Sequence, residues 1–341
     1  MSDTTRQVIF AKRPEGWVDD SCFRIEDAPI PELGEGDVLV RNIYMSVDPY
    51  MRGRMNDAKS YAAGFELGKV MQCGAIGEVV QSRNANIAVG TVVTGMLNWE
   101  TYTLVKSGAG LMPVDPNAAP LAYYISVLGM PGFTGWYGLT RIGEPKEGET
   151  VYVSAASGAV GQVVGQVAKL KGARVIGSAG SDEKCAFVTE QCGYDACFNY
   201  RTVDSYAKAI HQHCPDGIDI YFENVGGKML DAVLTALNPH SRIALCGLIS
   251  QYNLTSPEGI HNIASLLINK VRLQGFIISD HYDLYPEFVK EVSGWLQEGK
   301  MSYRIDVAEG IDNAPAAFIG MLKGENFGKQ VVKLGDDPYA A

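Results

Sequence analysis

Short apolar runs alternate with helical patterns through the middle of the chain. Thr150–Ser154 is a continuous run typical of a buried strand, and apolar residues then recur at helical spacing from Val160 to Ala168. The alternation continues with strand patterns at 174–178, 218–222, 242–246 and 271–278 and helical patterns at 182–192, 203–213, 227–237 and 286–298. This order predicts a doubly wound parallel sheet with helices on both faces.

The segments on either side have a different pattern. Residues 37–43 and 75–80 are short strand patterns separated by Gly and Pro, as is typical of a small, irregular antiparallel barrel. A strand pattern returns at 330–334, after a helix that we expect to bury Phe288, Val292 and Trp295. The chain therefore predicts an α/β fold in which the parallel-sheet domain interrupts a β-rich one. The predicted pieces are residues 1–126, 127–300 and 301–341.

Composition and charge narrow the possible partners. The 341 residues are 46% apolar, which is ordinary for a folded chain, and 29 basic against 39 acidic residues give a net charge of −10. A negative chain is repelled by nucleic acid, so we expect no such partner. Neither a signal-peptide pattern nor a long apolar segment is evident, and the seven cysteines include no CxxC motif. We therefore predict a cytoplasmic protein with reduced thiols and no membrane contact.

The residues after the first strand of the parallel sheet form an AxGxxG motif. Ala156, Gly158 and Gly161 follow a strand and open a helix, which is the context that a dinucleotide fingerprint requires. Gly158 lets the backbone approach a pyrophosphate, Gly161 lets the helix pack close to the sheet, and the helix N-terminus favours the phosphate charge. The alternative is an ordinary tight turn.

The end of the second strand indicates which dinucleotide would bind. An NAD site usually has Asp or Glu there for the ribose 2′-hydroxyl, but here the strand ends in Gly177–Ser181. Lys184 follows in the first helical turn, where a cation suits a 2′-phosphate, and Asp182 is better explained as a helix-start residue. The pattern favours NADPH over NADH, although Lys184 could instead be a solvated helix charge.

Several longer segments point to one family. The fingerprint AASGAVGQVVGQVAKLKGARVIGSAGSDEK is accompanied by DPYMRGRM at 48–55, ENVGGKMLDAVL at 223–234, CGLISQYN at 246–253, LQGFIISD at 273–280 and LKGENFGKQVV at 322–332. Together they resemble the medium-chain dehydrogenase/reductase superfamily. Within it, they are similar to the zinc-independent, NADPH-dependent alkenal and enone reductases, including the prostaglandin, plant double-bond and bacterial curcumin reductases.

This resemblance implies reduction of a C=C bond conjugated to a carbonyl, in which hydride from NADPH reaches the β-carbon. It implies a GroES-like catalytic barrel around the Rossmann domain, and a homodimer joined at the sheet edge near 271–278. It assigns the pyrophosphate to Gly158, Ala159, Val160 and Gly161, the 2′-phosphate to Lys184 and Tyr200, and the rest of the NADPH path to Asn224, Cys246, Tyr252, Phe276, Ile278 and Asn326.

Many relatives in the superfamily are zinc alcohol dehydrogenases, whose catalytic zinc is held by Cys, His and carboxylate side chains. Ser46–Asp48 replaces the expected Cys-His pair, Gly68–Val70 stands where a Gly-His-Glu segment would be, and the first histidine is His211. No cysteine lies between Cys73 and Cys185, so a four-cysteine structural lobe is absent. We predict no metal, and we interpret Cys185 and Cys192 as a packed pair on one helix face.

Hydrogen-bond donors would then have to stabilise the negative charge that develops on the substrate carbonyl oxygen. Plant and mammalian relatives have a Tyr four residues before the Arg of the segment ending in GF, but this chain has Ile268 there. Tyr252 and Tyr50 are the candidate catalytic hydroxyls, with simple packing as the alternative and ribose or water as other proton sources. Further apolar candidates for a substrate pocket are Tyr61, Phe65, Met71, Tyr282 and Tyr285.

Two other functions remain open from the sequence. A quinone reductase of the same superfamily would share the nucleotide domain and need no zinc, although the DPYMRGRM and SQYN segments favour an enone substrate. An NADPH-binding sensor would bind the cofactor tightly without turnover.

Overall fold

Two compact units make up the structure. The computed structural model describes residues 3–340, which divide into a first unit, up to Gly129 and again from Ile305, and a second unit, Met130–Arg304. The limits fall at 129 and 304, where the sequence analysis placed 126 and 300. Within residues 3–340, no helix is long and apolar enough to cross a membrane.

The first unit begins with seven strands and one short helix. They are β1 (Thr4–Phe10), β2 (Phe23–Pro29), β3 (Val38–Ser46), α1 (Tyr50–Arg54), β4 (Gln72–Ser82), β5 (Val92–Asn98), β6 (Tyr102–Val105) and β7 (Met112–Pro113). Short 3-10 helices lie at Asp20–Cys22, Lys106–Gly108 and Leu121–Ile125.

The second unit alternates strands with helices. Its elements are α2 (Met130–Tyr137), β8 (Thr150–Val153), α3 (Gly161–Leu170), β9 (Arg174–Ala179), α4 (Asp182–Glu190), β10 (Ala196–Asn199), α5 (Tyr206–His213), β11 (Ile218–Glu223), α6 (Gly227–Val233), β12 (Leu237–Leu245), α7 (Ala264–Ile268), β13 (Arg272–Gly275) and α8 (Tyr285–Gln297). A π-helix spans Gly138–Gly143, and 3-10 helices lie at Leu234–Ala236, Ile249–Gln251 and Ile278–Leu284.

The chain then returns to the first unit. Its last elements are β14 (Ile305–Glu309), a 3-10 helix (Ile311–Asn313), α9 (Ala314–Leu322) and β15 (Lys329–Lys333).

The second unit contains the predicted doubly wound sheet. Its six strands are parallel and lie in the order β10-β9-β8-β11-β12-β13. Val151 of β8 pairs with Val175 on one side, and Ile220 pairs with the same residue on the other. The chain order reverses between β8 and β11, and in such sheets ligands bind outside the carboxyl ends of the strands at that point. The Rossmann prediction is confirmed.

The first unit has a separate, mainly antiparallel sheet. Its path is β14-β15-β3-β4-β5-β7, with β6 also paired to β3, and β14 runs parallel to β15. A second ladder joins β1 to β2. The last strand, β15, pairs Val331 with Ser46 of β3, so the C-terminal segment completes the sheet that the N-terminal segment begins.

The helix limits differ from the predicted ones in ways that have local causes. Helix α3 begins at Gly161, so Val160 occupies the cap position and is only partly buried. Helix α4 begins after Ser181, whose hydroxyl accepts a hydrogen bond from the Lys184 N–H at 3.2 Å. It ends at Glu190, and therefore Cys192 lies beyond the helix; the predicted Cys185–Cys192 pair on one helix face is wrong.

Two other expectations are corrected near the end of the second unit. Phe288 and Val292 of α8 are buried, but Trp295 lies on the partly exposed side of the helix. The strand expected over 271–278 is only four residues long, because the chain turns into a 3-10 helix at Ile278–Leu284. Strand β13 is exposed because it forms one edge of the sheet.

Candidate nucleotide-binding and catalytic site

The predicted phosphate turn joins β8 to α3. Ala155 has a left-handed backbone (φ 51°), and the Gly158 N–H donates to the Ala155 carbonyl at 2.9 Å, which closes the turn. A Cβ on Gly161 would lie 2.5 Å from that carbonyl oxygen, so glycine is required there. A Cβ on Gly158 would lie 3.1 Å from the same carbonyl oxygen, a tight contact but a less severe one than at Gly161. Ala159 is partly exposed beside it, as a phosphate-binding turn requires.

The end of β9 has no acidic side chain. Gly180 follows the strand, and a Cβ there would lie 3.0 Å from the Tyr200 hydroxyl and 3.5 Å from the Arg201 guanidinium. Lys184 lies in the next helical turn and is partly exposed. The nearby Asp182 carboxylate accepts a hydrogen bond from Asn199 at 2.9 Å. A hydroxyl and two cationic residues thus lie near the end of β9 with no acidic side chain at its tip, and this set of groups fits a 2′-phosphate.

Arg201 is a residue that sequence reasoning missed. Its guanidinium carbon lies 5.9 Å from the centroid of the Tyr200 ring. It comes directly after the Tyr that the resemblance assigned, so an Arg next to that position was the signal that could have identified it.

A cavity of about 450 Å³ lies at the carboxyl ends of β12 and β13. Its walls are formed by Leu245, Cys246, Gly247, Leu248, Tyr252, Gly275, Phe276, Ile277 and Asp280. Three predicted residues, Cys246, Tyr252 and Phe276, are therefore brought together. Ile278 follows the cavity wall by one residue and begins the 3-10 helix.

The Tyr252 hydroxyl has a defined place in this cavity. It accepts a hydrogen bond from the Leu248 N–H at 3.1 Å, and burial raises its pKa above the ordinary tyrosine value. Burial also raises the pKa of the Cys246 thiol to about 12. Both groups therefore keep their protons at neutral pH, and the Tyr252 hydroxyl retains a proton that it can donate.

Buried polar groups hold the loop beside the cavity. Asn224 donates its side-chain amide to the Ser154 carbonyl at 2.8 Å and its backbone N–H to the Ser154 hydroxyl at 3.0 Å. The Glu223 carboxyl accepts from the backbone N–H groups of Val225 (2.6 Å) and Gly226 (2.9 Å). Burial raises the pKa of Glu223. These contacts fix Asn224 to the end of β8, whereas the sequence identified Asn224 alone.

The remaining predicted residues, Tyr50 and Asn326, lie in the first unit. Tyr50 opens α1 and is partly exposed, and its pKa is raised by burial and by the charge of Asp48. The Asn326 side chain donates to the Gly328 carbonyl at 2.7 Å. Asp48 pairs with the Lys329 ammonium at 2.9 Å, and both side chains are nearly inaccessible. Sequence reasoning missed Lys329.

Ser46–Asp48, the segment in which the zinc-binding Cys-His pair is missing, supplies the carboxylate of this ion pair. Ser46 donates its hydroxyl to Asp48, and the Lys329 ammonium also donates to the Val47 carbonyl at 2.7 Å. Within the described residues, 3–340, no three His, Cys, Asp or Glu side chains lie close enough together to hold a metal ion. The absence of a catalytic zinc stays a prediction, which rests on the zinc-binding residues that the sequence lacks.

The predicted apolar pocket residues do not share one environment. Met71 and Phe65 are buried in the core of the first unit, and Phe65 lies beneath the Arg54 guanidinium at 4.2 Å. Tyr61 and Tyr282 are exposed. Tyr285 packs on Phe133 with ring centroids 5.5 Å apart.

Comparison with known proteins agrees with this geometry. The model of an N-terminal domain of oxidoreductases matches residues 6–114, and the zinc-binding dehydrogenase model matches residues 159–294. The chain is 45% identical to the NADPH-dependent curcumin reductase of Escherichia coli, covering 97% of this chain and 98% of that protein. It is 44% identical to the NADP(+)-dependent 2-alkenal reductase of Nicotiana tabacum, covering 97% and 98%.

A solved structure is similar over almost the whole chain. The crystal structure of CurA from Vibrio vulnificus in complex with NADPH has a TM-score of 0.92 and 46% identity, covering 97% of this chain and 100% of that one. The Rossmann sheet and the phosphate turn define a nucleotide-dependent oxidoreductase. The chain belongs to the medium-chain dehydrogenase/reductase superfamily and, within it, to the group of NADPH-dependent alkenal and enone reductases.

Proposed function

We propose that this chain reduces the C=C bond of α,β-unsaturated aldehydes and ketones with NADPH. The observation that carries the proposal is the acid-free end of β9, where the Tyr200 hydroxyl and the Arg201 guanidinium lie close to the backbone of Gly180. Membership of the reductase group supplies the reaction class. In this proposal the second unit binds NADPH, and the first unit is the GroES-like catalytic domain.

The residues of the second unit bind and orient the cofactor, which supplies the hydride when bound. The backbone of Gly158, Ala159, Val160 and Gly161 holds the pyrophosphate at the N-terminus of α3. The 2′-phosphate pairs with Lys184, Tyr200 and Arg201. The remaining NADPH contacts are assigned to Asn224, Cys246, Tyr252, Phe276 and Ile278 and, in the first unit, to Asn326.

Two hydroxyl groups are the candidate donors to the substrate oxygen. Tyr252 and Tyr50 both have raised pKa values and stay protonated at neutral pH, so each can donate a hydrogen bond to the charge that develops on the carbonyl oxygen. Ile268 has no proton to give and is 68% exposed. The α-carbon then takes its proton from one of these hydroxyls or from water.

Turnover with defined substrates tests the reaction class. We expect NADPH oxidation with a medium-chain 2-alkenal, and mass spectrometry should show the saturated aldehyde in equal amount. Oxidation with a simple quinone alone would favour the quinone-reductase alternative. Tight NADPH binding without oxidation by any enal, enone or quinone would favour the sensor.

A pair of lysines at equivalent helix positions tests the cofactor site. Lys184 and Lys208 both donate their backbone N–H to the serine that caps their helix, but only Lys184 lies beside the end of β9. Loss of one charge-assisted contact to a phosphate costs about 1.5–3 kcal/mol, so Lys184→Ala should lower kcat/KM for NADPH about 10- to 100-fold. Turnover with NADH should change little, and Lys208→Ala should change neither. An equal loss with both cofactors in Lys184→Ala would contradict the assignment.

The hydroxyls are tested by Tyr252→Phe and Tyr50→Phe. Removing a donor from the developing oxyanion should lower kcat by about 100-fold. A Tyr252→Phe enzyme with full turnover would exclude that hydroxyl as the donor, and the same holds for Tyr50.

We also propose a homodimer formed at the free edge of β13, in the cytoplasm. The support is an exposed edge strand beside α7, where Leu267 is 83% and Ile268 is 68% exposed. An edge of this kind is usually covered. Sedimentation should show a dimer, and Leu267→Glu should give a monomer; a monomeric unaltered chain would contradict the proposal.

A further inference from the structure

The second unit contains a thiol pair that the proposed reaction does not use. The Cys197 sulfur lies 3.0 Å from the Cys185 sulfur. Cys185 is in the first turns of α4, directly after Lys184, and Cys197 is in the edge strand β10. A disulfide has its sulfur atoms about 2.0 Å apart, so these two need to move together by only about 1 Å.

The surroundings give the two thiols different chemistry. The Cys197 S–H donates to the Cys185 sulfur, and this hydrogen bond is the main reason why the pKa of Cys185 is lowered. The Ala179 N–H also donates to that sulfur, whereas burial and the charge of Asp182 act in the opposite direction. The same sharing of the proton, together with burial, raises the pKa of Cys197. Cys185 is thus the better nucleophile, with Cys197 in contact to resolve its oxidised form.

Access to the pair is narrow but present. Cys185 is 8% exposed, and Cys197 is partly exposed on the sheet edge. A small oxidant can therefore reach the sulfur, while a bulky alkylating reagent is hindered. Cys185 is thus buried but less completely than Cys73, Cys192 and Cys214, which are 0%, 2% and 1% exposed, and burial raises the pKa of each of these three.

We propose that Cys185 and Cys197 form a reversible disulfide when the protein meets a peroxide. The Cys185 thiolate attacks the peroxide O–O bond, giving a sulfenic acid and releasing hydroxide, or alkoxide from an organic peroxide. The Cys197 thiol then attacks that sulfur, the S–S bond forms, and water leaves with the proton. Two electrons pass from the sulfurs to the peroxide, and a dithiol reductant returns them by thiol–disulfide exchange.

The disulfide would alter the end of β9. The Cys185 sulfur, which accepts from the Ala179 N–H, becomes part of a disulfide and is then a weaker acceptor, and α4 becomes tethered to β10 next to Lys184. This part of the inference rests on the proposed NADPH function. The loss of one hydrogen bond should lower the affinity for NADPH about five-fold, and by linkage bound NADPH should disfavour the disulfide by the same factor.

Peptide mass spectrometry tests the disulfide independently of activity. The full-length protein is treated with graded hydrogen peroxide, alkylated and digested. We expect a cross-linked peptide pair containing Cys185 and Cys197, lost after dithiothreitol. Cys197→Ser should instead leave a sulfenic acid on Cys185 that a dione probe traps, and Cys185→Ser should leave Cys197 reduced. Unmodified thiols at peroxide levels that oxidise free cysteine, or irreversible sulfinic acid on Cys185 of the unaltered protein, would overturn the disulfide.

Cys192→Ser is the matched control, because the sequence pattern pairs Cys192 rather than Cys197 with Cys185. It should keep the Cys185–Cys197 cross-link, and a Cys185–Cys192 cross-link in the unaltered protein would overturn the pairing. Fluorescence titration then gives the NADPH affinity of the reduced and oxidised forms. Equal affinities would overturn the link to the cofactor site, whereas failure of the enone assay would leave the disulfide result intact.

Discussion

The ion pair between Lys329 and Asp48 gives a sharp test of how the first unit is held together. Its two side chains are 1% and 6% exposed. The ammonium lies 2.9 Å from the Asp48 carboxylate and 2.7 Å from the Val47 carbonyl, and Ser46 donates to the other carboxylate oxygen. Lys329→Met keeps most of the side-chain volume and removes the charge, so the Asp48 carboxylate stays buried with only the Ser46 hydroxyl for a side-chain partner.

Breaking a buried pair in this way costs about 3–5 kcal/mol, mainly because the remaining charge is uncompensated. For a unit of this size each kcal/mol moves Tm by about 2–4 °C, so the transition of the first unit should fall by roughly 6–20 °C. Asp48→Asn in the Lys329→Met background removes the stranded charge and keeps a polar partner for Ser46. The double variant should therefore recover at least half of the loss.

Scanning calorimetry of the four proteins of this cycle measures the effect, because it resolves transitions of separate units that a single ΔG of unfolding would merge. The reasoning is refuted if Lys329→Met melts within about 1 °C of the unaltered protein, or if the double variant is no more stable than Lys329→Met. The first result would mean that water reaches the carboxylate, and the second that the cost comes from packing rather than charge.

Three further predictions concern a buried carboxyl group, a second ion pair and the glycines of the phosphate turn. Burial raises the pKa of Glu100 from 4.5 to about 7, so the folded chain retains a proton that the unfolded chain loses. The free energy of unfolding should thus fall as pH rises from 4.5 to about 7. Glu100→Gln should reduce the difference between thermal melts at pH 5 and pH 8. An unchanged pH dependence in this variant would contradict the role of Glu100. Two nitrogens of the Arg242 guanidinium donate to the Glu149 carboxylate, at 2.8 and 2.6 Å. Arg242→Lys should therefore lower the free energy of unfolding by about 2 kcal/mol in urea titrations. A loss below about 0.5 kcal/mol would contradict this. Gly161→Ala places a Cβ 2.5 and 2.6 Å from two carbonyl oxygens and should lower Tm. Gly158→Ala should retain the fold and lose NADPH affinity. Equal Tm values for the two variants would argue against the close contact of α3 with the turn at Gly161.

The parallel sheet could be predicted because its strands are buried on both faces. All four residues of β8 are buried, so the sequence there is an uninterrupted apolar run rather than an alternation. The turn signals then divide the region into strand and helix with errors of a few residues. One such error comes from a cap: the Ser205 hydroxyl sets the start of α5 at Tyr206, where periodicity alone placed it at 203. The start of α4 after Ser181 agrees with the prediction, and only its end differs.

Features made by contacts distant in sequence could not be predicted. Strands β1 and β2 pair Val8 with Ile25 across the long loop 11–22, so no tight-hairpin pattern marks their pairing in the sequence. Lys329 is fully buried although lysine is almost always solvated, and only its position opposite Asp48, some 281 residues away, explains this. The same holds for Cys185. The helical pattern pairs it with Cys192, but in the structure it contacts Cys197, which lies on strand β10.

Ala156 stands where the GxGxxG fingerprint has its first glycine, and this difference affects only the local packing. Ala156 is fully buried, and a Cβ on Gly177 of the adjacent strand β9 would lie 2.6 Å from the Ala156 methyl group. The methyl group at the first motif position is thus accommodated because glycine stands opposite it. The backbone of the turn itself is undisturbed, since the Ala156 N–H still donates to the Ser178 carbonyl at 3.0 Å. The methyl group of Ala156 is therefore accommodated in the packing between β8 and β9, and the two later glycines of the motif keep their positions in the turn.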